Sequence, residues 1–405
     1  MVRTLKIGLA EALRMTLERI SPKPSETVHV HDGVDRIVAA TLAARVDSPS
    51  VDASLKDGFA VLSRDVDQAG PSSPVRLRLS GRMAAGGSED IAVVSGTTVR
   101  VLTGARIPRG ADAVVSEEFV AQDGDDVLVG IPAEPGRNIL PRGADVVAGN
   151  PVVKPGDRLT PGMVGLLAAA GHSHVAVVGK PVVAIVATGD EVVAPGVPLP
   201  EGKLYASNMT TLGAWCRRYG MGTRLSIVRD DGEAILDAFR SNLEAADVLV
   251  TSGGAWTGDR DMVVKTLDRL GWEKVFHRIR IGPGKAVGFG LLGAKPVFIL
   301  PGGPPSNLMG FLQIALPGLL RLSGDSSGGL PTATVRLARE LTGRYADWTQ
   351  FVFGTLGAAN GAPVFHPLVG GSRLRSMAEA RAVVAIPEGA TRLPARSLVT
   401  AQLLA

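Results

Sequence analysis

The stretch DVLVTSGGAWTGDRDMVVKTL, Asp247 to Leu267, decides the fold class. Val248-Leu249-Val250-Thr251 is a short apolar and β-branched run, the pattern of a strand covered on both faces. It stops at Ser252-Gly253-Gly254, where missing side chains let the backbone turn sharply and leave its N–H groups approachable. Thr257 to Asp261 adds small and acidic residues ahead of a helix whose apolar positions are Val263, Val264, Leu267 and Leu270. In an open α/β sheet, ligands bind beyond the carboxyl ends of the strands, so this loop is a natural phosphate and metal site. The competing reading makes Asp259 or Asp261 a simple helix N-cap.

The pattern repeats on either side. Residues 179–325 alternate apolar strands with amphipathic helices, which predicts a parallel sheet with helices on both faces. Val182 to Ala187 runs into Thr188-Gly189-Asp190-Glu191, and a helix follows around Met209 to Tyr219, capped near Ser207 or Asn208. Arg224 to Val228 runs into Arg229-Asp230-Asp231, ahead of a helix with Ile235, Leu236, Phe239 and Leu243 on one face. Farther on come a ribbon, Val275 to Phe289, and a strand, Val297 to Leu300, that ends in Pro301-Gly302-Gly303-Pro304-Pro305-Ser306 and opens a last helix. If the four strands are parallel, their loops meet at one edge, and Glu191, Asp230, Asp231, Asp259 and Asp261 converge with Gly-rich turns. Clustered carboxylates repel unless a cation neutralises them, and oxygen donors suit Mg2+ bridging protein and phosphate. A dispersed set of helix caps is the alternative.

At 405 residues the chain exceeds one typical core, and 50 Gly with 27 Pro spread along it indicate many turns and short strands. The expected class is α/β plus β, in four parts. Residues 1–44 with 146–178 form a thin, discontinuous N-terminal dimerisation domain that buries more apolar surface in a symmetric dimer than alone. Residues 45–145 form an inserted small β domain, 179–325 the α/β domain, and 326–405 a C-terminal small β domain. The first part carries an amphipathic helix within MVRTLKIGLAEALRMTLERI, which lacks the long apolar run of a signal peptide. Further helices are expected over Val34 to Ala44 and Pro161 to Ala170. Within the insert, Val75 to Leu79 and Thr98 to Leu102 alternate as strands; Asp57-Gly58 and Thr103-Gly104 read equally as turns. Near the other end, Gly370-Gly371-Ser372 and Ser376 either present hydroxyls and backbone donors to an anion or form an ordinary loop and helical turn.

Composition excludes several classes. The formal net charge is +4, but no dense basic run exists and aromatics are 4%, so no nucleic-acid partner is expected. A mild positive excess fits small anionic ligands. No 18-residue apolar span exists, so no membrane crossing is expected. Cys216 is the only cysteine; it excludes an intrachain disulfide and a Cys-clustered zinc site, and it fits a reducing cytoplasm. His172 and His174 lack a third ligand nearby and read as strand or surface residues. GFGLLG (288–293) and GDSSG (324–328) match nucleotide-binding and hydrolase motifs in letters only, without the strand-to-helix context those motifs need.

TGDE (188–191), SGGAWTGDRD (252–261), PGKA (283–286), PGGPPSN (301–307) and SRLRSMAEA (372–380) together resemble the MoeA family of molybdopterin molybdenumtransferases, whose domain also occurs in the E domain of gephyrin. DASLKDGFAV (52–61), LTGARIPRGADAVV (102–115) and GRNILPRGADVV (136–147) resemble the family's second domain. The resemblance implies a four-domain, elongated subunit in a homodimer, each active site shared between the α/β and C-terminal domains of one subunit and the inserted β domain of the other. It implies that adenylylated molybdopterin and molybdate are the substrates, that AMP is released with Mg2+ assisting, and that molybdenum is left on the dithiolene. An adenylyltransferase and molybdoenzyme acceptors are the implied protein partners. Family functional positions fall on Asp57, Thr103, Asp145, Glu191, Asp230, Asp261, Lys285 and Ser376.

The residue types suit that chemistry. Glu191, Asp230 and Asp261 are candidate metal ligands; Lys285 offers a point charge to oxyanions; Ser252-Gly253-Gly254 offers backbone N–H groups to a phosphate. Arg278, Arg280, Pro301, Gly302, Ser306, Ser372 and Ser376 complete the expected binding set. Asp57 and Asp145 are left between metal binding and water activation. Several positions depart from the family pattern: KPGKP reads Gly282-Pro283-Gly284-Lys285-Ala286, LPGNP has Gly303 for asparagine, MDGYA reads Lys56-Asp57-Gly58-Phe59-Ala60, and Arg381 replaces an asparagine. On a strand, Arg278, Arg280 and position 282 share a face, so Arg280 is expected to supply the missing charge. The departures also motivate an alternative, a non-catalytic molybdopterin-binding scaffold or delivery paralogue.

Overall fold

The computed structural model describes residues 6–87, 89–254, 262–359, 361–368 and 373–404. They form two compact units, one of residues 26–177 and one combining 1–25 with 178–405.

The second unit is built on a six-stranded sheet. Gly222–Val228, Val182–Thr188, Val248–Ser252 and Lys295–Leu300 lie side by side and parallel, in that order. Gly288–Leu292 and Glu273–His277 extend the sheet antiparallel. Val248–Ser252 is buried at every position, as its unbroken apolar run requires. Alternate residues feed two cores. Val183, Ile185, Val250 and Phe298 pack under the helices Ser207–Arg218, Pro304–Gly310 and Leu316–Leu322. Ala184, Val186, Leu249 and Ile299 pack under Gly232–Ala245 and Met262–Arg269 on the other face. GFGLLG lies mostly within the Gly288–Leu292 strand, in keeping with its dismissal as a nucleotide motif.

The C-terminal strands close into a five-stranded barrel in the order Thr349–Ala359, Ala362–Pro367, Thr332–Leu337, Leu398–Leu403, Ala382–Ile386 and back to Thr349–Ala359. Closure is possible because the 11-residue strand pairs with Ala382–Ile386 over 350–354 and with Ala362–Pro367 over 354–359. Closing the sheet removes its exposed edges. A two-residue strand, Ile281–Gly282, adds to Thr349–Gln350 and ties the barrel to the α/β sheet.

Two expectations about the first 44 residues change. The amphipathic helix, Leu9–Glu18, packs beside the Leu316–Leu322 helix with Ala12 and Ile20 in the α/β core, whereas it was expected to join residues 146–178. Residues 34–44 are not helical. They run extended, bridging Ile37 to Arg158 and Val38 to Val177, and end in a strand, Leu42–Ala43, paired with Pro151–Val153. Ile37 and Val38 are fully covered there, and β-branched side chains suit extended backbone. The remainder of this unit has the expected insert, a six-stranded sheet ordered Ala113–Ser116, Gly58–Val61, Thr97–Val101, Val75–Met83, Asp126–Val129, Val120–Asp123.

Candidate functional site

The loops that follow the four parallel strands enclose a cavity of about 460 Å³. Thr188, Gly189 and Glu191 come from the first loop, Asp230 from the second, Gly253 and Gly254 from the third, and Pro301, Gly302 and Ser306 from the fourth. Arg278 and Lys285 complete the wall from the connection between Glu273–His277 and Gly288–Leu292. This is the convergence expected at the carboxyl edge of a parallel sheet.

Glycine is required where the third strand turns. Gly253 has φ +107° and Gly254 φ +64°. A Cβ on Gly253 would sit 2.6 Å from the Thr188 carbonyl oxygen, and one on Gly254 would run into Val263. Beside this turn the Thr188 hydroxyl is buried, with no hydrogen-bond partner among the described residues. An unpaired buried hydroxyl on a cavity wall is a polar group ready for a ligand.

The carboxylates are graded by environment. Burial, then the negative charges of Asp190 and Glu191, pushes the Asp230 carboxyl above its ordinary range. Asp190 braces the two loops, its Oδ1 accepting from the Asp230 N–H at 3.2 Å. Asp231 does not join them. Its carboxylate caps the Gly232–Ala245 helix, accepting from the Ala234 N–H at 2.9 Å, as the simpler reading of an Asp before a helix has it. Asp259, Asp261 and Ser372 lie outside the described residues. Among the described residues no three His, Cys, Asp or Glu side chains form a ready-made metal cage.

Arg280 departs from expectation. Its Nε donates to the Asp347 carbonyl at 2.8 Å, its Nη1 to the Lys6 carbonyl, and its Nη2 to Glu388 at 3.1 Å. The guanidinium is committed to tying residues 6–8 and the barrel loops together and does not line the cavity. Arg278 does, because its φ of +75° breaks the extended run and turns it away from the path a continuous strand would follow. Arg381 is likewise structural: its Nη1 donates to the carbonyls of Ala378, Glu379 and Ala380 at the end of the Arg373–Glu379 helix.

Ser252 and Ser376 stand behind the wall. Ser252 Oγ accepts from Asn307 Nδ2 at 3.0 Å and borders a smaller adjoining cavity of about 170 Å³. Ser376 lies half-buried on Arg373–Glu379, which packs against Pro304–Gly310. The roles of two asparagines escaped the sequence reading. Asn307 holds the third and fourth loops together through Ser252 and the Pro301 carbonyl at 2.9 Å. Asn208, expected as a cap, instead donates to the Gly302 carbonyl at 2.8 Å, and the Ser207–Arg218 helix has no side-chain cap. Neither role has a sequence signal, since each depends on which loops meet. Asn307→Ala would strand buried acceptors and is expected to cost about 2 kcal/mol in denaturant unfolding while weakening substrate affinity.

In the unit of residues 26–177, Asp57 and Thr103 form a bonded pair. The Thr103 N–H and Oγ–H donate to Asp57 Oδ1 at 2.6 and 2.8 Å. These two bonds, aided by Arg100, hold the Asp57 carboxyl below its ordinary range against a smaller opposing effect of burial. Asp145 is exposed, its N–H donating to the Ser48 carbonyl at 2.9 Å.

Comparison with known proteins agrees with this architecture. Residues 7–171 match the MoeA N-terminal region (domain I and II), and residues 184–321 match a probable molybdopterin binding domain. The solved structure of a molybdopterin biosynthesis MoeA protein from Pyrococcus horikosii is 32% identical, covers 98% of both chains, and superposes with a TM-score of 0.83. The molybdopterin molybdenumtransferase 2 of Mycobacterium tuberculosis is 29% identical over 397 residues, 96% of this chain and 97% of that protein. A molybdopterin molybdenumtransferase from Staphylococcus aureus is 29% identical over 319 residues, 78% of this chain and 76% of the relative. With both regions matched in order and the whole chain aligned to a solved MoeA protein, the chain belongs to the MoeA family of molybdopterin molybdenumtransferases.

Proposed function

We propose that this enzyme of molybdenum cofactor biosynthesis takes adenylylated molybdopterin and molybdate, releases AMP with Mg2+ assisting, and leaves molybdenum on the dithiolene. The observation that carries this reading is the meeting in one cavity of Glu191, Asp230, the Gly253-Gly254 turn, Arg278, Lys285 and Ser306. A lysine with an arginine favours an oxyanion, whereas the Gly253 N–H is already taken by the Leu300 carbonyl at 3.1 Å.

The residues present fit a magnesium ion. Burial, then the negative charges of Asp190 and Glu191, raises the Asp230 carboxyl above its ordinary range, an electrostatic situation that a divalent cation relieves. Mg2+ ordinarily takes one or two carboxylates and completes its shell with water and substrate phosphate, so a protein cage of three ligands is not needed. Glu191 and Asp230 would hold it, with Asp261 as a third candidate, and the bound ion would polarise the phosphoanhydride. Lys285 and Arg278 orient and neutralise molybdate and phosphate oxygens, and the Thr188 hydroxyl is available to a substrate oxygen.

Asp57, Thr103 and Asp145 act, in this reading, from the second subunit of a homodimer. A mass of one chain by light scattering at micromolar concentration would contradict the shared site. Because Asp57 stays ionised below the usual carboxylate range, wild-type AMP release is expected to lose little rate through this group until the pH falls below that range. Thr103→Val removes one of the two donors and is expected to move the acid limb of the pH–rate profile upward. An unmoved limb would remove Asp57 from the chemistry.

The decisive assay follows AMP release from adenylylated molybdopterin with Mg2+, with and without molybdate. Molybdate-stimulated release supports the transferase. Tight binding without release would favour a scaffold. In that case Gly282→Lys is the first change to make, since a Cβ there meets only Gln350 and Trp348 side chains at ordinary contact distances.

A further inference from the structure

Three of the chain's six histidines meet on the surface of the unit of residues 26–177. His29 ends the strand Ser25–His29, which pairs with the strand His174–Val178. The Val30 N–H donates to the Ser173 carbonyl at 2.9 Å and holds the two segments side by side. Val30 and Val175 enter the core of this unit, so the neighbouring His29, His31 and His174 are left exposed. The ring centroids of His29 and His31 lie 4.3 Å apart, and those of His29 and His174 lie 5.2 Å apart. His172, by contrast, is buried, with its Nε2 2.8 Å from the Ala43 carbonyl. The sequence pair of His172 and His174 therefore splits, and the neighbours that His174 lacked come from residues 29 and 31.

Two imidazoles on one tetrahedral ion, with metal–nitrogen bonds of about 2.0–2.1 Å, keep their ring centroids roughly 5 Å apart. The observed spacings straddle that value. Asp32 Oδ1 lies 3.1 Å from His31 Nε2. A carboxylate there favours the tautomer protonated on Nε2 and leaves the lone pair on Nδ1, the usual way a metal-binding histidine is oriented. Ser173 Oγ, 3.0 Å from His174 Nδ1, can accept from that nitrogen and leave the lone pair on Nε2. His29 Nδ1 accepts from the His31 N–H at 3.5 Å, too long a bond to hold the ring. The three rings lean on one another and do not converge on a point, so no cage is preformed. All three are exposed, and exposed side chains change rotamer readily. We propose that His29, His31 and His174 bind one divalent late first-row transition ion, represented by Zn2+, with Asp32 orienting His31. Imidazole nitrogens select such ions over Mg2+, which takes oxygen ligands. Residues 29–31 and 174 bracket the inserted β domain in sequence, so the bound ion clasps the two chain segments from which that insert departs and to which it returns. The site is independent of the proposed reaction.

The test is titration calorimetry of the full chain with Zn2+ in excess Mg2+, which keeps the carboxylate site supplied. Asp32→Asn is expected to weaken Zn2+ affinity by about 10–100-fold, the usual loss when the partner that orients a ligand is removed. His29→Ala and His174→Ala should each cost at least as much. His366→Ala removes an exposed histidine from the barrel strand Ala362–Pro367 and should leave Zn2+ binding unchanged. Zn2+ should also raise the melting temperature of the wild type, and that rise should disappear in His29→Ala. All the substituted side chains are exposed, and melting temperatures without metal check that each variant folds. No Zn2+ binding by the wild type, binding that Mg2+ displaces, or affinity unchanged in any of the Asp32, His29 and His174 variants would each overturn the assignment.

Discussion

Glu191→Gln is expected to lower molybdate-stimulated AMP release by about 10²–10³-fold, a loss of several kcal/mol of transition-state stabilisation. The substitution keeps the side chain's size and removes its charge on the cavity wall, so it separates metal holding from packing. Asp230→Asn should fall as far, with a second signature. The folded-state carboxyl of Asp230 titrates above its unfolded value, chiefly through burial and then through the charges of Asp190 and Glu191. A raised carboxyl binds more protons folded than unfolded, so its ionisation destabilises the protein as pH rises from about 4 through the folded value. In metal-free buffer Asp230→Asn is therefore expected to raise the melting temperature at pH 7, an advantage that vanishes near pH 4. Magnesium should reverse the order at pH 7, because only the wild type gains from binding it. Differential scanning calorimetry with and without Mg2+ reads both signs. Normal turnover by Glu191→Gln, or a melting temperature unmoved by magnesium in the wild type, would remove the carboxylate pair from metal binding.

Arg280→Ala is expected to cost about 2–4 kcal/mol of stability while leaving the molybdate dependence of AMP release intact. Only about a fifth of its side chain is exposed (21%), and it bonds to Lys6, Asp347 and Glu388 on three chain segments. Removing it would leave the Glu388 carboxylate beside Gly8 without its cation; that carboxylate already fills the space a side chain at Gly8 would need. Arg280→Lys should recover little, since one ammonium does not reproduce a guanidinium fork. Denaturant unfolding at unchanged m-value measures the loss. A variant as stable as wild type but insensitive to molybdate would return Arg280 to the anion site. Arg278→Ala should behave oppositely, with weaker oxyanion affinity and a modest stability change.

The contrast between these two arginines marks how far the sequence reaches. Strand-forming runs ending in Thr188-Gly189, Arg229-Asp230, Ser252-Gly253-Gly254 and Pro301-Gly302-Gly303 are local patterns, because a buried parallel strand must be apolar throughout and its loop must turn without side chains. From them follow the parallel sheet, the single edge where the loops gather, and most of the cavity wall: Glu191, Asp230, Gly253, Gly254, Pro301, Gly302 and Ser306. The pairing of Asp57 with Thr103 was not readable as a bond, although both residues stood in quoted motifs. What tertiary structure alone decided depends on which segments meet. The rule that places i and i+2 on one face holds only while the backbone stays extended, and the positive φ at Arg278 ends that condition two residues before Arg280. Leu9–Glu18 is amphipathic by sequence, but an apolar stripe does not name the surface that covers it; Ala12 joins a core that includes Ile314, Leu316 and Phe298. Asp231 caps a helix and Asn307 ties two loops for the same reason: a polar side chain takes the nearest unpaired backbone group, and only the folded chain determines which group is nearest.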